Sequence, residues 1–419
     1  MASLRTLVSV LALVGSSLIS APAQAQGDQT AANALLIQLV SHIVKQGHQT
    51  ILTFERYHWR QVNAAARWSP RAGLQAVQLG RRFYIMGGRT PNNSPIPGDS
   101  VIWGDVWVSH NKGVTWDQLL GTNDQEHWPA RAYFQAVTKN RYIYLMGGQN
   151  FKLEPCPPFV PECEGPVPNS EFFNDVWRSK DGINWKKMTD AAPWEGRAGL
   201  SAVVFRNRIW VFAGSKNDDS AIVGPNGPQR IYFNDVWSSK NGKHWKLHTE
   251  DAPWSPRSGA VALVKNGYIY LLGGEDGFLC QPQPFCEPPY YNDVWRTRNG
   301  TDWEQVTANA GWSARPGHQC AVLYDHIVCF GGFGLPQNPN DIWVSRNGAD
   351  WKQVDDTPWN ALSGDEIKYD FDVLVDKQGY WGQRQSLYTF GGDRETFDFS
   401  DPNNYLRVDN DVWRYSYFK

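Results

Sequence analysis

The chain has 419 residues, 41% of them hydrophobic, with a formal net charge of −2. Length and apolar content suffice for a large packed core. The near-neutral balance gives no sign of general affinity for nucleic acid or an anionic membrane.

The first predicted element is a secretory signal over residues 1–25. Arg5 supplies the positive n-region, Thr6 to Ile19 the apolar h-region, and Ala23-Gln24-Ala25 a cleavage site before Gln26. A membrane anchor needs about 20 apolar residues and different flanks, so membrane insertion is not expected. The mature protein is expected in the periplasm or outside the cell. Residues 26–49 follow as a helix and linker. Ala32, Leu35, Leu36, Leu39, Val40 and Ile43 keep helical spacing and predict a short amphipathic helix, either a lid on the body or a docking surface.

Residues 50–419 are repetitive. The run Tyr268-Ile269-Tyr270-Leu271-Leu272-Gly273-Gly274 recurs, in variants, at Phe83–Gly88, Tyr142–Gly148, Ile327–Gly332 and Leu387–Gly392, and at Ile209–Gly214 with Ala213 in place of the first Gly. Each run is short, rich in β-branched and aromatic residues, and stopped by glycine, which predicts a strand buried on both faces. Every unit reads as four strands. A lead-in such as Trp254-Ser255-Pro256-Arg257 opens strand a, and the glycine-terminated run is strand b. A loop of varying length then leads to Asn-Asp-Val-Trp, which opens strand c, and a tight turn leads to strand d with another Trp.

The tryptophans test this division. Strand c supplies Trp107, Trp177, Trp237, Trp295, Trp343 and Trp413; strand d supplies Trp59, Trp116, Trp185, Trp245, Trp303 and Trp351. The lead-ins supply Trp68, Trp128, Trp194, Trp254, Trp312 and Trp359. Aromatics recurring once per unit at fixed places are packing elements. The last unit lacks a strand d, and the segment around Trp59 supplies one. The prediction is therefore an all-β, six-bladed β-propeller with four antiparallel strands per blade, closed by an N-terminal strand d. In blade 6, strand a is predicted over Tyr369 to Val375, with a long loop from Asp376 to Arg384.

These repeats resemble kelch repeats, through Gly-Gly after an apolar strand, Asn-Asp-Val-Trp downstream and a Trp in the fourth strand. The resemblance covers Arg56 to Lys419. Strand c departs from it by carrying Trp where many kelch repeats carry Tyr. The turn Ser109-His110-Asn111-Lys112-Gly113-Val114-Thr115-Trp116 also looks like the Asp-box of sialidase-type propellers, which is a structural turn.

Six cysteines in an exported chain read as bridges rather than metal ligands. Cys156 with Cys163 and Cys280 with Cys286 each close a loop, and disulfides are expected at both. If Tyr324-Asp325 is a two-residue turn, Cys320 stands opposite Cys329 at a site of closest strand approach, where either a disulfide or two buried thiols fit.

Strand direction places b–c loops and d–a lead-ins on one face, with the short a–b and c–d turns on the other. Function is expected on the face with the variable loops, and the tight face is expected to be inert. Arg71, Arg131, Arg197, Arg257 and Arg315 each precede strand a, near the mouth of the central channel. They either gather an anionic ligand or tie the blades and cap carbonyls. Trp128, Trp194 and Trp254 could stack on sugars but sit at repeat positions. The carboxylate pairs Glu275/Asp276, Asp365/Glu366 and Asp393/Glu395 have no spacing that singles one out for hydrolysis.

Galactose oxidase shares the resemblance, but its copper would need two His and Tyr ligands. Only His318 stands at a strand-a start, with His127 close by, so no cofactor or metal is expected. The expected function is a binding module for a protein or glycan partner. The resemblance also admits a non-hydrolytic sugar enzyme, because periplasmic N-acetylneuraminate epimerases are six-bladed kelch propellers. A glycosidase is a further alternative. No catalytic residue is assigned.

Overall fold

Six short repeats that cannot bury their own faces must pack on each other, and they do so in a ring. The structure, a computed structural model, describes residues 57–94, 98–124, 127–154, 167–168, 170–217, 230–277, 290–334, 339–360, 367–378, 384–396 and 400–417. The expected signal segment, the expected helix at 26–49, and Cys156, Cys163, Cys280, Cys286, Asp365 and Glu366 lie outside them. The unit His58–Phe418 contains six four-stranded antiparallel sheets. Their inner strands a are Gln75–Leu79, Gln135–Lys139, Ser201–Phe205, Val261–Lys265, His318–Leu323 and Asp372–Gln378. Each packs against the next, and the last against the first, so the sheets close as a six-bladed β-propeller.

Turn chemistry sets the a–b register. The two-residue loops Asn140-Arg141, Arg206-Asn207, Asn266-Gly267 and Tyr324-Asp325 have both residues at positive φ, the form that matches strand twist. Cys320 therefore faces Cys329, and the two form a disulfide with Cα atoms 4.2 Å apart. Blade 6 differs from expectation. Its strand a is Asp372–Gln378, and pairing persists to Gln378 opposite Arg384, so the hairpin is longer and its loop shorter than the sequence implied.

The Asn-Asp-Val-Trp motif is a staple. In blade 4, the Asn292 Nδ2 donates to the carbonyls of Ala310 and Trp312 in the next lead-in, at 3.4 and 2.9 Å. Asn174, Asn234 and Asn410 repeat that link. Asp293 accepts from Trp295 Nε1 at 2.8 Å, and Val294 is fully buried. Each lead-in Trp packs steeply tilted to a strand-d Trp, with ring centroids 5.6–6.3 Å apart in the six pairs. At the c–d turns, Ser109, Ser179, Ser239, Thr297 and Ser345 accept from a glycine N–H through their hydroxyls.

Ring closure follows the same grammar. Strand d of blade 6 is Tyr57–Asn63, hydrogen-bonded to Val408–Tyr417. Trp59 packs against Trp359, Phe330 and Tyr415, at 5.6, 5.5 and 4.9 Å.

Candidate functional site

The five lead-in arginines do not gather at the channel mouth. Each is buried within its blade. In blade 4, Arg257 forks onto Asp293 at 2.5 and 3.0 Å, and its Nη1 and Nε also donate to the carbonyls of Gly273 and Ser255. Arg71 pairs likewise with Asp105, Arg131 with Asp175, Arg197 with Asp235, and Arg315 with Asp341. The forks hold strand c, and the remaining bonds hold the strand-b glycine turn and the lead-in carbonyl, which is the blade-tying arrangement of the two alternatives. In blade 6 the position is Lys368, bound to Asp409 and Asp411.

Two residues beyond each of these cations, the chain lines the mouth itself. The residues are Gly73, Tyr133, Gly199, Gly259, Gly317 and Asp370, all at positive φ. Backbone bonds link them around the opening, from Gly73 N to Asp370 O, Tyr133 N to Gly73 O, Gly199 N to Tyr133 O, Gly259 N to Gly199 O and Asp370 N to Gly317 O, at 2.8–3.0 Å. Glycine is the natural residue for that conformation, and any other residue there costs about 1–3 kcal/mol. Tyr133 and Asp370 depart from the repeat at the same ring of positions.

Their side chains meet further departures. Arg89 and Asp393 each follow a Gly-Gly pair, in blades 1 and 6. Arg89 Nε donates to the Tyr133 hydroxyl at 2.6 Å and its Nη2 to Asp393 Oδ2 at 2.7 Å. Asp393 Oδ1 accepts from Glu395 N at 3.0 Å. The Asp370 carboxyl interacts electrostatically with Tyr133, and the Tyr369 hydroxyl bonds to Asp393 and Glu395. Arg89 remains 21% exposed while Asp393 is enclosed, so the cluster opens on the face with the variable loops.

Burial, and next the charge of Asp393, push both Asp370 and Glu395 up to about 7. Burial raises Asp393 as well, and also the phenols of Tyr133 and Tyr369. The site thus holds carboxyls that exchange protons near neutrality, beside one guanidinium and two neutral phenols. Such a set can both donate to and accept from hydroxyl groups.

Beneath the mouth lies a channel cavity of about 240 Å³. Its polar walls stitch neighbouring blades together. Gln75 Oε1 accepts from Ala136 N, Asp372 Oδ2 from Ala76 N, and Gln319 Nε2 donates to Phe371 O.

His318 is among the residues that line this cavity. It is buried, 5.3 Å from the Trp312 ring and packed on Gly273. Burial, and next the Arg315 charge, depress it to about 3, so it stays neutral. Trp128, Trp194 and Trp254 are likewise buried, with no face for a sugar. Of the carboxylate pairs, Asp393 and Glu395 reach the site, whereas Asp276 accepts from Tyr291 at 2.7 Å in another blade. Sequence reasoning missed Arg89, Tyr133, Tyr369 and Asp370. The signal was available: Lys368-Tyr369-Asp370 and Arg131-Ala132-Tyr133 stand where the other four blades carry Arg-Ala-Gly, Arg-Ser-Gly or Arg-Pro-Gly. Among the described residues, no group of three His, Cys, Asp or Glu is placed to hold a metal ion.

Fold and site together define a six-bladed β-propeller with an acidic, tyrosine-lined channel mouth. No protein-family model matches the chain, and no curated protein matches its sequence.

Proposed function

We propose that the protein is an exported, kelch-type propeller that binds a glycan through its loop-bearing face, with a sugar ring over the channel mouth. The observation that supports this is the convergence of Arg89, Tyr133, Tyr369, Asp370, Asp393 and Glu395 on one opening, at positions where the repeat is broken. A sugar presents hydroxyls that each donate and accept, and carboxyl, phenol and guanidinium groups pair with them at fixed angles. A glycan array on the purified chain tests it. Wild type is expected to retain a defined subset of glycans, and Asp370→Asn to weaken them about tenfold, the loss of one charge-assisted bond.

The same variant has a stability signature. Folded Asp370 keeps its proton up to about pH 7, whereas an unfolded Asp loses it near pH 4. Stability from that proton is present at low pH and is lost as pH rises through 7. The wild-type melting temperature is expected to fall between about pH 4 and 7, and that of Asp370→Asn to fall less. Equal slopes, with unchanged glycan retention, would count against the site.

A second reading is a non-hydrolytic sugar enzyme. It is favoured by Asp370 and Glu395 lying near neutrality, where a carboxyl best exchanges protons with a substrate. A mutarotation assay on sialic acid separates turnover from binding alone.

A further inference from the structure

The formal charge of −2 hides a segregation of charge between the two faces. The short a–b and c–d turns of the antiparallel blades share the face opposite the channel mouth. At the c–d turns, the residue after the Ser or Thr that caps the turn is Lys180, Lys240, Arg298 and Arg346 in blades 2 to 5, and all four are exposed. The a–b turns add exposed Arg81, Arg82, Arg141 and Arg206 in blades 1 to 3. Acidic residues are present, but they are engaged locally. Asp325 pairs with Lys265 and Asp376 with Lys112, while Asp302 and Asp350 accept from the asparagines of their own turns. Asp302, Asp350 and Asp181, the last also held by its own turn, keep their charge, but the cations of these turns outnumber them and leave a net basic arc over blades 1 to 4.

Two further features shape that arc. Every turn in it is short, so the face is level and offers no groove. Val114 and Ile183, at the c–d turn tips of blades 1 and 2, are 51% and 46% exposed, among the few large apolar side chains so exposed among the described residues. Both lie on this face. A groove-bound polyanion would gain nothing from apolar tips, whereas a bilayer receives them at its headgroup level.

We infer that the tight-turn face docks on an anionic lipid bilayer, its basic arc against the headgroups and Val114 and Ile183 dipping between them. The protein lies on the surface and does not span it, and the channel mouth on the opposite face is turned away from the membrane, towards solutes. Each Lys or Arg near an anionic surface raises partitioning about fivefold, and salt screens that attraction.

The test is sedimentation of the purified full-length chain with vesicles of phosphatidylcholine containing one-quarter phosphatidylglycerol. The expected result is binding to these and not to pure phosphatidylcholine, weakening steeply from 0.05 to 0.5 M salt. The variant R81E/K180E/K240E/R298E changes one charge per blade at positions outside the positive-φ region. It is expected to lose at least a hundredfold in partitioning, and a retained melting temperature certifies its fold. V114S/I183S is expected to lose several-fold with the salt dependence intact, and it keeps the proposal testable should the charge variant fail to fold. Absence of binding to the anionic vesicles, or equal binding to neutral ones, overturns it. Tighter retention on heparin than on vesicles would overturn it too, and reassign the face to a linear polyanion.

Discussion

Replacing Arg257 by Ala is expected to lower the unfolding free energy by about 3–5 kcal/mol, the cost of breaking a buried ion pair by removing one partner. The magnitude follows from what is left behind. Asp293 would keep only the Trp295 N–H, and the Gly273 carbonyl would lose its donor inside the blade. Neither group can recruit water freely, because Arg257 is 1% exposed and Asp293 12%. Arg257→Lys restores the charge but not the fork, and is expected to recover only part of the loss. Because the fork in blade 3 is built alike, Arg197→Ala should behave in the same way. Urea denaturation checks both. A change below about 1 kcal/mol at both positions would show that the arginines are dispensable to the blades, and would return them to candidacy as ligand groups.

Deleting the chain through Val62 is expected to abolish cooperative folding. The deletion removes Trp59 from its cluster with Trp359, Phe330 and Tyr415. Trp59 is half-buried, so its loss alone costs part of the roughly 3–5 kcal/mol of a fully buried Trp. It also strips the hydrogen-bonded partner from Val408–Tyr417 and leaves an open strand edge. Set against total stabilities of about 5–15 kcal/mol, the combined loss is disabling. Deletion through Gln46 leaves strand d intact and is expected to cost far less. Circular dichroism melts of the two truncations decide this, and a native melting temperature after deletion through Val62 would refute the closure.

Much of the fold could be read from the amino acids, because its determinants are local and repeated. The Gly-Gly stops fixed strand b, the two-residue turns fixed the a–b register, and that register alone put Cys320 opposite Cys329. The strand d missing from the last unit, and the spare Trp-bearing segment ahead of the first lead-in, revealed that the strand around Trp59 belongs to the last blade. The role of the lead-in arginines was harder to see, since the deciding partner lies 26–38 residues away in the examples of Arg315 and Arg197. Position alone left both a ligand ring and a tie between blades open, with repetition favouring the tie. The mouth cluster was missed for the opposite reason. Reading for what repeats passes over what does not, and Tyr133 and Asp370 matter because four sister positions are glycine. Asp393 and Glu395 were one of three carboxylate pairs that no spacing singled out, and only the fold brings Arg89 from blade 1 against blade 6.

The central claim is that repeated residues build the propeller, while broken repeat positions at the mouth serve a ligand. The double variant Tyr133→Gly/Asp370→Gly tests it most directly, by restoring the residue that four blades carry. Glycine relieves two strained positive-φ positions, about 1–2 kcal/mol each, and removes a half-buried titratable acid. That gain offsets the lost contacts of Tyr133 with Arg89 and Asp370. The account predicts a melting temperature at or above that of wild type, together with loss of the glycans that wild type retains on the array. A cooperative loss of stability with glycan retention unchanged would contradict it, and would make the mouth cluster part of the ring that holds the blades together.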